Sequence, residues 1–330
     1  MKILVVGAAG MIGRKLCERL AREGALAGKP IAAGHFVDIV APSPPSFADF
    51  PTTCEAYDIA APYVAPKLIA ARPDLIFLLA SIVSGEAECD FDKGYAVNLD
   101  GARMLFEAIR REQRLSGGAY RPKLVFTSSI AVFGAPFPDA IDDDFFSTPL
   151  TSYGTQKAIC ELLLADYSRR GVFDGVGLRL PTICVRPGPP NRAASGFFSA
   201  IIREPLAGRE AILPVDESVR HWHASPRSAV GFLIHAASLD LAELGARRSL
   251  TMPGVSATVG DQIDALRAVA GEPATKLIRR QRDETIERIV AGWPSRFDAS
   301  RARNLGFVAE SNFGEIIRAY REDEHVGCVA

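Results

Sequence analysis

Short runs of Val, Ile, Leu and Phe recur along the first half of the chain, each followed by a stretch whose apolar residues fall at helical spacing. That alternation predicts parallel strands joined by helices. Ile3–Val6 is the first run, and an amphipathic helix through Arg22 follows it. Further strands are expected at His35–Val40, then a shorter one ending near Tyr57–Ile59, and at Asp74–Ala80, Lys123–Ser129 and Val176–Leu180, with a late one at Ser249–Met252. A helix that begins at Asn98 or contains it is predicted through Glu107 to Arg111, where Leu99, Ala102, Leu105, Phe106 and Ala108 form an apolar face. Others run from Ser152 to a stop at Gly171 and from Ala224 to Ser238, and the chain beyond Val259 is mostly helical by pattern. The expected fold is α/β, a Rossmann-type doubly wound parallel sheet with helices on both faces.

The alternation breaks at Arg186, where Pro187, Gly188, Pro189, Pro190 and Asn191 punctuate a long excursion. A dinucleotide-binding domain is therefore expected over 1–183, rejoined by about 224–254, with a smaller C-terminal substrate-binding lobe over 184–330. With 330 residues the chain has ample core for this division.

Composition acts mainly by exclusion. A net charge of -1 leaves no electrostatic footprint for nucleic acid or an anionic membrane. No segment reaches the roughly 20 apolar residues of a membrane span, and the first apolar run is too short for a signal peptide. Six scattered cysteines without metal-type spacing suit free thiols in the cytoplasm. His221 and His223 alternate around Trp222 with no acid nearby, a weak ligand set, so no metal is expected.

The candidate chemistry gathers at the ends of the predicted strands. Gly7, Gly10 and Gly13 lie between a strand and a helix, where glycine permits a tight turn, close approach of a pyrophosphate, and close packing of helix on strand. Met11 and Ile12 open that helix. Asp38 ends the second strand, where an acid meets the adenosine ribose hydroxyls and repels a 2'-phosphate, which favours NAD. Asp58 and Ile59 are expected at the adenine, Leu79 and Ala80 along the dinucleotide, and Pro181, Thr182 and Ile183 beside the nicotinamide. Tyr153 and Lys157 form an i, i+4 pair on one helical face. Lowering a phenol pKa by about three units takes roughly 4 kcal/mol, which an adjacent ammonium and a cationic cofactor ring together supply. Ser129 ends the strand before that helix. Substrate contacts are expected from Ser84, Ser129, Tyr153 and Thr182; if the substrate carries an acid group, Arg186, Asn191, Arg192 and Arg227 are the candidates for gripping it.

Gly7, Gly10, Gly13, Asp38, Asp58, Asn98, Ser129, Tyr153 and Lys157 together resemble the extended short-chain dehydrogenase/reductase family, over nearly the whole chain. The resemblance implies NAD as cofactor, Tyr153 as base, Ser129 beside the reacting oxygen, Lys157 on the nicotinamide ribose, and Asn98 holding a water linked to Lys157. It also implies a homodimer paired through the helices near Asn98 and Tyr153. The stretches Ser84–Glu88, Ser152–Ala158, Arg179–Thr182 and Ser225–Arg227 are similar to members acting on small polyhydroxy acids, D-erythronate foremost. Oxidation at the 2-hydroxyl is the activity implied; a nucleotide-sugar 4-epimerase or a uronate dehydrogenase on the same scaffold is the alternative. Two departures stand out: Leu78 replaces a histidine common in relatives, and Val6 replaces a threonine before the first glycine. Ile130-Ala131 cannot supply the acid pair of a dehydratase.

Overall fold

A computed structural model describes residues 1–188 and 194–324. Asn191 and Arg192, two of the expected substrate contacts, lie outside the described residues. The chain forms two compact units: Met1–Val132 with Thr151–Arg179 and Val230–Leu250, and Phe133–Leu150 with Leu180–Ala229 and Thr251–Ala330.

The architecture is α/β, built on one seven-stranded sheet. Its strands are β1 (Lys2–Val6), β2 (Ala33–Asp38), β3 (Thr52–Ala56), β4 (Leu75–Leu78), β5 (Lys123–Ser129), β6 (Asp174–Leu180) and β7 (Ser249–Thr251). They lie side by side in the order β7-β6-β5-β4-β1-β2-β3. β1 pairs in parallel with both β2 and β4, β2 with β3, and β4 with β5. Strand order therefore reverses at β1, between β2 and β4, and the carboxyl ends Val6 and Leu78 pair side by side there. In such sheets this switch point is where a ligand finds a crevice. Ile3–Val6 and Leu75–Leu78 are all buried, as a strand covered on both faces requires.

Three helices matter for the site: α1 (Met11–Glu23), α2 (Gly101–Leu115) and α3 (Ser152–Arg169). α2 buries Leu105, Phe106 and Ile109 in a core shared with Leu68, Ile76, Phe126 and Phe173. The second unit has its own core around Phe198, Ile202, Leu213, Ile263, Leu266 and Ile317. Within it, Arg220–Ala224 is the middle strand of a small sheet, parallel to Thr182–Ile183 and antiparallel to Val255–Thr258.

Several element ends differ from the sequence expectation. β2 stops at Asp38 rather than Val40, because the Asp38 carboxylate takes the next backbone N–H, that of Ile39. The third strand, Thr52–Ala56, ends beside Tyr57 as expected, and Asp58 beyond it closes a turn by accepting from Ala60 N. Asn98 sits inside a π-helical turn, Tyr95–Asp100, that leads into α2. Residues 133–150 group with the second unit rather than with the first: Ile141 bridges Phe297, and the Asp143 carboxylate accepts from Thr251 N. Among the described residues no helix is long and apolar enough to cross a membrane.

Candidate active site

The glycine loop is shaped by sterics. Gly7 has φ +98, and a Cβ there would lie 2.5 Å from Ala80 N; one on Gly13 would lie 2.1 Å from the Gly7 carbonyl oxygen. Only glycine lets the backbone of β1, α1 and the Leu79-Ala80 turn approach this closely. Leu79 N and Ala80 N both donate to the Val6 carbonyl, so that turn is bound to the end of β1. α1 begins at Gly10 with no side-chain cap and no acidic residue in its first turn. The first N–H groups of Met11, Ile12 and Gly13 have no intrahelical acceptor, and the positive end of the helix faces them.

Asp38 closes this cradle. Its Oδ2 accepts from Ala9 N at 2.9 Å and its Oδ1 from Ile39 N at 2.7 Å, leaving further lone pairs for a diol. Asp58 is exposed, with Oδ1 committed to the turn at Ala60, while Ile59 is buried against the position where a Gly101 Cβ would stand. A glycine cradle, uncapped helix donors and an acid beside them suit the pyrophosphate and ribose of a dinucleotide. The sequence reading had no sign that Asp38 also staples the loop through Ala9.

α3 carries the second half of the site. Thr151 caps it, its hydroxyl accepting from Gly154 N, and Glu88 Oε2 accepts from Ser152 N. Tyr153 is half-buried and Lys157 buried. The Lys157 ammonium donates to the Thr127 carbonyl at 2.9 Å and lies over the Phe126 ring at 4.8 Å and the Tyr153 ring at 5.6 Å. Burial pushes its pKa down to about 8. Strand alternation separates the two serines ending β5. Ser128 points inward and donates to Glu161, which Arg179 also grips with two nitrogens. Ser129 is half-buried and accepts from Ala131 N at 3.1 Å, which leaves its own hydrogen to donate.

Asn98 is buried. Its Oδ1 accepts from the Ser81 hydroxyl and Ile82 N, both at 2.9 Å. Its Nδ2 donates to Gln156 Oε1 at 2.7 Å and to the Ile82 carbonyl at 3.3 Å. The side chain thus ties the loop after β4 to α3, and its main-chain carbonyl accepts from the Cys160 thiol. Gln156 is the residue the sequence reading passed over. It is wholly buried, and Gly94 leaves room for it, since a Cβ there would lie 2.8 Å from Gln156 Nε2. No local signal marks it, since Gln156 stands between Thr155 and Lys157 in the polar first turns of α3.

The remaining candidates fall in different surroundings. Ser84 is half-buried and starts the short helix Ser84–Cys89. In the second unit Pro181 is buried, Thr182 and Ile183 half-buried, and the Thr182 hydroxyl lies 2.7 Å from His221 Nε2. Arg186 is held by its backbone, N–H to Ser199 Oγ and carbonyl from Arg203 Nη1. Arg227, considered for an acid group, is instead ion-paired with Glu322 and Asp323. Among the described residues no three His, Cys, Asp or Glu side chains cluster as a metal would need.

Comparison with known proteins bears on the whole of this arrangement. Residues 3–225 match the model of the NAD dependent epimerase/dehydratase family. The chain is 44% identical to a D-erythronate dehydrogenase of Cupriavidus necator, covering 98% of each chain. It is 40% identical to one of Haemophilus influenzae, covering 98% of this chain and 99% of the relative. A crystal structure described as the nucleoside-diphosphate-sugar epimerase from Agrobacterium tumefaciens is 62% identical, with a TM-score of 0.97 over 100% of this chain and 96% of that one. An L-threonine dehydrogenase from Clostridium difficile, at 21% identity and a TM-score of 0.83 over 99% of both, shares the fold. Since the family match runs from β1 through Tyr153 and Lys157 to the strand ending at Ala224, the chain belongs to the NAD dependent epimerase/dehydratase family, and its dinucleotide is NAD.

Proposed function

We propose that this protein is an NAD-dependent dehydrogenase that oxidises the 2-hydroxyl of a small polyhydroxy acid, D-erythronate to 2-oxo-D-erythronate. The observation that carries the reading is the 40% and 44% identity, over nearly full length, to two proteins named for that activity. The site geometry supports it. Gly7, Gly10, Met11, Ile12, Gly13, Asp38, Asp58, Ile59, Leu79, Ala80, Pro181, Thr182 and Ile183 would hold the dinucleotide. Bound NAD supplies the acceptor for the hydride that leaves the substrate's second carbon.

Tyr153, as phenolate, takes the proton of the 2-hydroxyl while the carbon–oxygen double bond forms. Ser129 donates to the same oxygen and steadies the charge developing on it. Lys157 holds the nicotinamide ribose and, as the ammonium, favours the phenolate. With a pKa of about 8 in the ligand-free protein, it is charged in most molecules at neutral pH and loses that charge as pH rises through 8. Asn98 serves by holding the loop after β4, its amide being occupied by Ser81, Ile82 and Gln156. We assign substrate contacts to Ser84, Ser129, Tyr153, Thr182 and Arg186. We further assign a cytoplasmic homodimer formed through α2 and α3, on which Leu115 and Leu162 are 70% and 74% exposed.

NADH formation with D-erythronate and a panel of aldonates and uronates tests the reading. Turnover of D-erythronate above the rest is expected, and no turnover of any acid in the panel overturns it. The description of the Agrobacterium protein favours a second reading, a nucleotide-sugar epimerase. Protein that retains NAD through purification and interconverts nucleotide sugars without releasing NADH would establish that alternative.

A further inference from the structure

The polar interior of the second unit contains a histidine that determines what Thr182 can bind. On the strand beside Thr182–Ile183, His223 pairs with Thr182. His221 lies two positions earlier on the same face, with Nε2 2.7 Å from the Thr182 hydroxyl oxygen. Its other ring nitrogen, Nδ1, lies 3.0 Å from the Pro294 carbonyl oxygen. A carbonyl can only accept, so Nδ1 carries the ring proton.

The surroundings keep the ring uncharged. His221 is 4% exposed, stacks flat on Phe198 with centroids 5.3 Å apart, and meets the edge of the equally buried His223 at 5.4 Å. Burial pushes its pKa down to about 4. In the neutral ring with Nδ1 protonated, Nε2 is a bare lone pair, and the Thr182 hydroxyl must donate to it. Its only hydrogen is then spent inside the protein. Any other partner of that oxygen meets lone pairs alone.

We infer that Thr182 is an acceptor-only ligand contact whose polarity is set by His221, and that it selects a hydrogen-bond donor, either a substrate hydroxyl or the carboxamide N–H of the nicotinamide. The identity of these ligands rests on the dehydrogenase reading; the polarity does not. A consequence concerns orientation. A carboxylate oxygen at Thr182 would set lone pair against lone pair, so the acid end of a hydroxy acid binds elsewhere and a hydroxyl is admitted here.

Nitrogen NMR of the histidine side chains in the ligand-free protein, assigned with His221→Phe, is expected to show Nδ1 protonated and Nε2 bare. A proton on Nε2 overturns the proposal whatever the enzyme oxidises. Thr182→Val, which removes the oxygen at similar shape, is compared with Thr182→Ser, which keeps it. Calorimetric titrations use NAD and its 3-acetylpyridine analogue, whose methyl ketone has no N–H. If the carboxamide is the donor, Val weakens NAD about fivefold to tenfold, Ser restores it, and the analogue binds all forms alike. If a substrate hydroxyl is the donor, both dinucleotides ignore the substitution, while KM for D-erythronate rises by about the same factor in Val and recovers in Ser. Val indistinguishable from the parent both in the dinucleotide titrations and in KM, or a loss that Ser does not restore, overturns the assignment. A protein that oxidises no aldonate still yields the NMR result and the dinucleotide titrations, so failure of the activity is told apart from failure of the polarity.

Discussion

The two helices that frame the site begin in opposite ways. α1 starts at Gly10, with no side chain on its first N–H groups; α3 starts after Thr151, whose hydroxyl takes Gly154 N, and Glu88 takes Ser152 N. Helix starts expose the same backbone donors, yet one set remains available to an anion and the other is spent on protein. What α3 offers is therefore its side chains, Tyr153 and Lys157, fixed by a firmly anchored first turn. Under the proposed function, the fate of these donors distinguishes a ligand cradle from a mount for reacting groups even where both begin helices beside one sheet.

The largest test of this contrast is Tyr153→Phe. It should lower kcat by roughly 10²- to 10⁴-fold while NADH fluorescence titration gives an almost unchanged Kd; near-parent turnover would remove the base assignment from α3. Gly13→Val acts on the other helix. With a Cβ already 2.1 Å from the Gly7 carbonyl oxygen, its overpacking cost of about 1–3 kcal/mol or more should appear as a loss of NAD binding of up to about a hundredfold, with circular dichroism confirming the fold. Gly10→Asp places an acid cap where space allows it, the added Cβ meeting only the Gly7 carbonyl oxygen at 3.4 Å. It should raise the melting temperature of the ligand-free protein yet weaken NAD by about tenfold, because the new carboxylate competes with phosphate for the same donors. Unchanged affinity would mean that the start of α1 is not the phosphate site. Smallest is Thr151→Ala, expected to cost about 1 kcal/mol in urea unfolding with NAD affinity untouched; a drop in affinity as large as that of Gly10→Asp would erase the distinction between the two helix starts.

The buried ion pair beneath the site belongs to the same contrast. Glu161, one turn beyond Lys157, is held by Arg179 of β6 and by Ser128 of β5, so the helix carrying Tyr153 and Lys157 is pinned to two neighbouring strands. Replacing one partner alone would leave a buried charge without its mate.

Much of this was legible from pattern. The apolar run Ile3–Val6, the glycines after it and the i, i+4 spacing of Tyr153 and Lys157 express local rules: a strand buried on both faces, a turn that excludes Cβ atoms, and a helical face. Asp38 at the end of β2 was legible for the same reason, although its bond to Ala9 was not, since that bond joins residues 29 positions apart.

By itself the sequence determined the order of strands and helices, the glycine loop between β1 and α1 and the placing of Tyr153 and Lys157 one turn apart on α3, because periodicity and backbone sterics act over a few residues. Tertiary structure alone decided that Asn98 sits in a π turn bound to Gln156, that Arg227 pairs with Glu322 and Asp323, and that His221 faces Thr182. These depend on which donors find which acceptors across 58, 95 and 39 positions of chain, the first and last of them in the interior and the Arg227 pair at the surface. No local periodicity records that choice, because the cost of an unpaired buried polar group is settled only when distant segments pack together.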